Sequence, residues 1–266
     1  MDQISIQPAK TRLSHTLGSP GGKTFTSDLS VSEFALLDDV GYQPLGFVMG
    51  TSIYHVGIQV ARWGSSQELT VLTQAMYSAR ELALTRMEAE AGELGADGIC
   101  GVHIEMNMYA WGQDVLEFIA AGTAVRSKDH PGESKRPDGK PFTSDLSGQD
   151  MFMLAQRGYV PVAFCLGTCV YHVAHQSMMS ALKQTGTNVE MAQYTQDIYT
   201  ARELALSRMQ AEAERSSALG IVGTNLIVSN HVWGEHATEF LAMGTAIRPT
   251  EKRHSSESIS LTLPVV

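Results

Sequence analysis

Three groups of residues in this chain have types and spacings that could do chemistry. The densest is Cys165, Cys169, His172 and His175, which on paper looks like a ligand set for a soft metal. On a strand rising ~3.3 Å per residue the two cysteines stand about 13 Å apart, whereas thiolates sharing one zinc lie within about 4 Å of each other. His172 also falls on the face opposite both cysteines. The cysteines therefore read as buried and structural, unless the strand breaks at Gly167. His103 and Glu105 share one strand face about 7 Å apart, close enough to be two ligands of one ion; a solvated strand face is the competing reading. His55 and His172 each sit inside Tyr-His-Val. They are either ligands, or pH-sensitive groups repeated around an assembly, or strand-end histidines with one backbone hydrogen bond. The candidate metal ligands are thus His55, His172, His103 and Glu105, for a divalent ion.

Other candidates are thinner. His231 and His236 bracket the turn Trp233-Gly234, but Tyr109 and Asp114 hold the equivalent places around Trp111-Gly112. Trp111 and Trp233 either stack a planar small ligand or cap turns. Arg80-Glu81 and Arg202-Glu203 either grip a ligand or lock a helix to a neighbouring subunit or sheet edge. No nucleophile elbow, Walker loop, dinucleotide fingerprint or His-Glu-x-x-His stands in the chain, so no catalytic residue and no cofactor are assigned and a non-enzymatic protein is expected.

The elements that must position these residues come in two copies. Ala79-Arg80-Glu81-Leu82-Ala83-Leu84 through Ala91 returns as Ala201 through Ala213, differing only at Thr85/Ser207 and Glu88/Gln210. Phe25-Thr26-Ser27-Asp28-Leu29-Ser30 returns unchanged as residues 142–147. Ser30 with Glu33 makes a capping box, Ser147 with Asp150 a weaker one, and Gly41 and Gly158 stop the short helices that follow. Tyr42–Val56 and Tyr159–Val173 read as strands with two apolar faces, Phe47, Met49 and Ile53 on one, Val48, Tyr54 and Val56 on the other. Long amphipathic helices follow at roughly 68–94 and 189–216, then two strands per copy, the last ending in Gly122-Thr123-Ala124 and Gly244-Thr245-Ala246.

The fold class is α+β: two tandem β-α-β-β units, each a three-stranded antiparallel sheet covered by one long helix, with a short preceding helix. The boundaries are a mobile arm over 1–22, repeat 1 over 23–126, a linker over 127–140, repeat 2 over 141–248 and a loose tail over 249–266. One helix covers one sheet face only, so the Val48 face is expected to need the sister repeat, another subunit or both, and a homo-oligomer follows. A net charge of −9 argues against nucleic acid and anionic membrane as partners. Three cysteines favour a reducing, cytoplasmic setting, and the first residues lack the order of a signal peptide.

These residues resemble the YbjQ-like family, described as heavy-metal-binding. The resemblance is carried by Gly50-Thr51-Ser52-Ile53-Tyr54, Ala79-Arg80-Glu81, Leu94-Gly95-Ala96-Asp97-Gly98-Ile99 and Gly122-Thr123-Ala124-Val125. Copy 2 departs from it at Ser217-Ala218-Leu219-Gly220. The resemblance implies a dodecin-subunit-like unit and a ring-like homo-oligomer; single-copy members look like pentamers. Chains of two linked units then span two stacked rings or build a ring with an even number of units. The role of the assembly stays open between an undefined assembly protein and a module that holds a metal ion or small ligand at its interfaces.

Overall fold

The computed structural model describes residues 6–13, 24–55, 65–108, 115–174, 190–231 and 237–250. Repeat 1 runs through α1 (Ala9–Leu13), α2 (Val31–Asp39), β1 (Tyr42–His55), β2 (Gln67–Glu68), α3 (Thr70–Glu93), β3 (Gly98–Met108) and β4 (Val115–Ser127). Repeat 2 follows with β5 (Phe142–Thr143), α4 (Gly148–Gln156), β6 (Tyr159–His172), α5 (Ala192–Arg215), β7 (Gly220–His231) and β8 (Ala237–Pro249).

Local chemistry sets the short helices. Ser30 Oγ accepts from the Glu33 N–H, and Glu33 Oε2 accepts from the Ser30 N–H at 2.8 Å, which satisfies two free donors of the first turn of α2. Ser147 caps α4 through the Asp150 N–H at 3.1 Å. Both helices end before a glycine at positive φ, Gly41 and Gly158.

The strands form two antiparallel cores, β1-β4-β3 and β6-β8-β7, and each gains a fourth strand from the other repeat. The β5 segment, which opens repeat 2, pairs parallel with β3; β2, from repeat 1, pairs antiparallel with the end of β6. Each sheet therefore has four strands rather than the expected three. The extra strands are short edge additions whose partners are distant in sequence, and hydropathy periodicity carries no trace of them.

The layers run sheet A (β1-β4-β3-β5), α3, sheet B (β2-β6-β8-β7), α5. One continuous core holds Val48, Leu72, Met76 and Phe118 together with Phe164, Leu166 and Val170 of sheet B. On the far side of sheet B, Cys165, Cys169 and Phe240 meet Ala201, Ala205 and Met209 of α5.

The uncovered face of sheet A is the opposite of the one expected. Val48 is fully buried under α3, whereas Phe47, Met49 and Ile53 are exposed. Gly50 decides this. A Cβ there would lie 2.0 Å from the Ala83 carbonyl oxygen, and at Gly167 one would lie 1.9 Å from that of Ala205. Each long helix rests its backbone on the strand at a glycine, and the glycine face is the Val48 face. Val56 lies outside the described residues, as do Trp111, Trp233, His175, His236 and residues 251–266.

The arm and the linker both make contacts where they are described. In the arm, α1 buries Leu13, and Arg12 Nε lies 2.7 Å from Glu90 Oε1. In the linker, Arg136 pairs with Glu88 at 2.8 Å, and Asp97 Oδ1 accepts from the Gly132 N–H at 2.8 Å.

Gly50→Ala and Gly167→Ala should each lower stability by about 1–3 kcal/mol through overpacking against helix backbone. Gly92→Ala, in α3 with open space around its Cβ, should raise stability by about 0.5–1 kcal/mol; urea denaturation of the three variants measures both effects.

Candidate functional site

The most elaborate polar arrangement joins the two repeats. Arg80 projects from α3 onto sheet B, where Nη1 donates to Glu239 Oε1 at 2.6 Å and to Thr168 Oγ1 at 3.3 Å. The Thr168 hydroxyl donates to the same Glu239 oxygen at 2.8 Å. The Arg80 guanidinium lies 4.9 Å from the centre of the Phe118 ring. Both ion-pair partners are buried, with side chains 3% and 2% exposed. Such a pair is held at a desolvation cost close to its Coulomb gain, so it specifies how surfaces meet more than it stabilises them.

Around it lie three further ties. The Tyr77 hydroxyl donates to Glu212, which also accepts from the Leu166 N–H at 2.7 Å. Burial pushes the Glu212 carboxyl above its ordinary range, and burial beside Glu212 does the same to Glu81. Thr73 Oγ1 accepts from the Val170 N–H at 3.0 Å. Arg208 donates to the Thr168 carbonyl at 2.7 Å and pairs with Glu68 at 2.8 Å, fastening β2 to sheet B. A cleft of about 350 Å³ opens beside Tyr77, Arg208 and Glu212, polar enough for a small ligand.

The second set of the same residues is placed differently. Arg202 pairs with its neighbour Glu203 at 2.7 Å and lies over the Tyr199 ring at 4.8 Å. On sheet A, Thr51 Oγ1 donates to Glu117 Oε1 at 3.1 Å, repeating the Thr168–Glu239 bond; Arg86 donates to the Thr51 carbonyl, and no described residue forms an ion pair with Glu117.

The candidate metal ligands His55, His172, His103 and Glu105 do not converge. His55 is exposed at the end of β1, while His172 is buried at the end of β6, opposite Gln67 of β2. They stand in different sheets. His103 and Glu105 are both exposed on β3; His103 Nδ1 lies 3.2 Å from the Gly101 carbonyl oxygen and 3.9 Å from Asp28. Among the described residues no three His, Cys, Asp or Glu side chains gather as a metal site. Cys100, Cys165 and Cys169 are free, and burial pushes each thiol up to about 12, which leaves them protonated and inert. Arg80 does lock a helix to a sheet, that of the sister repeat. Its partners Glu239 and Thr168 were not singled out, although Arg80, Glu117, Arg202 and Glu239 recur at one common spacing.

This fold and interface define a tandem pair of like α+β units packed helix to sheet. The sequence profile of the YbjQ family, described as "Putative heavy-metal-binding", matches residues 45–128 and again 162–250. The chain belongs to that family, as a tandem duplication. It is 50% identical to an encapsulin nanocompartment protein of Mycobacterium tuberculosis over 268 residues, 100% of this chain and 99% of that protein. A UPF0145 protein of Pseudothermotoga lettingae is 34% identical over 91 residues, 32% of this chain and 84% of that one. Another from Natronomonas pharaonis is 44% identical over 59 residues, 22% of this chain and 55% of that one.

Arg80→Ala should cost about 3–5 kcal/mol, because it strands the Glu239 carboxylate in the core. Replacing both partners together, Arg80→Met with Glu239→Leu, should bring stability back close to that of the natural chain; chemical denaturation curves compare the two.

Proposed function

We propose that this chain is a non-enzymatic component of an encapsulin nanocompartment and that it works there as a homo-oligomer in the cytoplasm. The observation that carries the reading is the likeness, along the whole length of both proteins, to the encapsulin nanocompartment protein of M. tuberculosis. The geometry supports it. The one elaborate polar arrangement is spent on packing unit against unit, the buried thiols are inert, and the exposed apolar residues of sheet A suit protein contact rather than a substrate. No helix among the described residues is long and apolar enough to cross a membrane. Nanocompartments purified by sedimentation from the native cells should contain the chain in a fixed ratio to the shell; compartments that lack it would overturn the reading.

Heavy-metal binding is a second reading, favoured by the description of the family. Among the described residues one chain does not gather a site by itself, since His103 with Glu105 offers two donors and His55 and His172 stand apart. A complete ligand set would draw donors from neighbouring copies. Elemental analysis of the native oligomer should then find stoichiometric metal that disappears in His55→Ala/His172→Ala or in His103→Ala/Glu105→Ala. Metal-free oligomer that also takes up none on titration would remove this reading.

A further inference from the structure

The helix-to-sheet contact between the repeats is one-directional: repeat 1 offers α3, and repeat 2 receives it on the outer face of sheet B. Among the described residues the counterparts of these two surfaces recur exposed at opposite ends of the chain, the sheet A one bordered by α1. We propose that copies of this chain dock head to tail, with α5 of one copy on the outer face of sheet A of the next and the Phe25 segment of the next copy reaching back to the Gly220 edge of the first. The docking rests on the self-assembly put forward above and names its surface and its partner, a second copy.

The sheet side matches position by position. Phe164, Leu166 and Val170, covered by α3, are 6%, 1% and 0% exposed, whereas their counterparts Phe47, Met49 and Ile53 are 37%, 43% and 55% exposed. A groove of about 590 Å³ runs over these three, walled at one side by Ile6, Arg12 and Leu13 of the N-terminal arm, and reaches Glu90. The helix side matches likewise: Met76 is 1% exposed on α3 and Ile198 46% on α5.

The polar groups are also in place. Arg202 corresponds to Arg80, and Glu117 with Thr51 to Glu239 with Thr168, so Arg202 leaves Glu203 for the Glu117 carboxylate of the next copy. Leu69 N–H donates to the Val170 carbonyl at 2.8 Å at the edge of sheet B; Met191 and Ile53 hold the matching positions. Glu190 faces Arg86 as Glu68 faces Arg208. Tyr199 reaches Glu90 as Tyr77 reaches Glu212. Arg12 already lies on Glu90 Oε1, and a carboxylate with four acceptor sites takes both.

A second, separate patch gives the same answer. Within the chain, Phe142 covers Gly98 so closely that a Cβ there would lie 2.1 Å from the ring. Phe142, Leu146 and Met151 close a small core with Leu37, Tyr42 and Cys100. At Gly220, the counterpart of Gly98, nothing lies within 4 Å of a built Cβ. Next to it is a cleft of about 480 Å³ lined by Leu154, Tyr159, Val222 and Ile247. The counterparts of the filling residues are Phe25, Leu29 and Phe34; the two phenylalanines are 40% and 39% exposed and stack on each other at 6.0 Å. Both patches put the same copy ahead, so one placement of the neighbour fills both.

Because the two units of one chain are successive members of this series, a closed ring of chains holds an even number of units, and the two units do not belong to separate stacked rings. A head-to-tail contact otherwise runs on as a filament.

Light scattering with native mass spectrometry tests the docking on the full chain. The natural chain should give one particle whose mass is a whole multiple of 28.8 kDa. Glu117→Arg and Arg202→Glu should each fall to single folded chains, by circular dichroism, while the double variant Glu117→Arg/Arg202→Glu reassembles. Gly220→Trp, which meets only open space within one chain, should fold normally and stay single. If the natural chain assembles and Glu117→Arg, Arg202→Glu and Gly220→Trp assemble equally well, or if the double variant is not restored, the docking is overturned and self-assembly stands. A natural chain that remains single at micromolar concentration overturns both.

Discussion

Each unit of this protein has one long helix and a sheet that is apolar on both faces, so every sheet has to borrow a second cover. Fully burying a large apolar side chain is worth about 1.5–3 kcal/mol, and sheet B presents Phe164, Leu166 and Val170 on the face its own helix does not reach. Helix α3 supplies that cover and so serves two sheets at once. The buried Arg80–Glu239 pair sits in the middle of the contact. An arginine and a glutamate taken out of water tolerate one relative placement far better than any other, which makes the pair a register pin for a surface that apolar packing alone would leave free to slide.

Which face each helix takes follows from an atomic-scale constraint. At Gly50 and Gly167 the helix backbone comes so near the strand that no side chain fits between. That approach binds α3 to the Val48 face and α5 to the Cys165 face, and it exposes the opposite faces to whatever lies beyond. The exchanged edge strands add a reciprocal tie, β2 of repeat 1 on sheet B and β5 of repeat 2 on sheet A. The repeats are therefore interlocked, and the short helices α2 and α4 with the linker close the seam where Phe142 and Tyr42 pack edge to face at 6.0 Å.

Chemistry in this molecule is directed at recognition between units. Charged side chains with strong hydrogen bonds lie between repeats, the thiols sit protonated in cores, and the exposed His103 and Glu105 stand on an open strand face. A one-directional helix-to-sheet contact gives the two units surfaces of defined direction.

The local elements were legible in the residues. Ser30 with Glu33, Gly41 and Gly158 mark the short helices, the duplicated Ala79–Ala91 segment marks the long ones, and the structure places each within a few residues of where spacing puts it. Capping, turn formation and periodicity act over a few residues, so a linear reading captures them. The uncovered face of sheet A, the fourth strands and the partner of Arg80 were not legible. They depend on a helix backbone meeting Gly50 from 33 residues further along the chain, at Ala83, and on Arg80 meeting Glu239 across 159 residues. Two nearly identical segments also receive different surroundings, Arg80 buried and Arg202 at the surface, because one copy has a neighbour within the chain and the other does not. Sequence alone determined the unit and its duplication; tertiary structure decided which copy of each surface is covered, since burial is set by what packs opposite and not by the residues themselves.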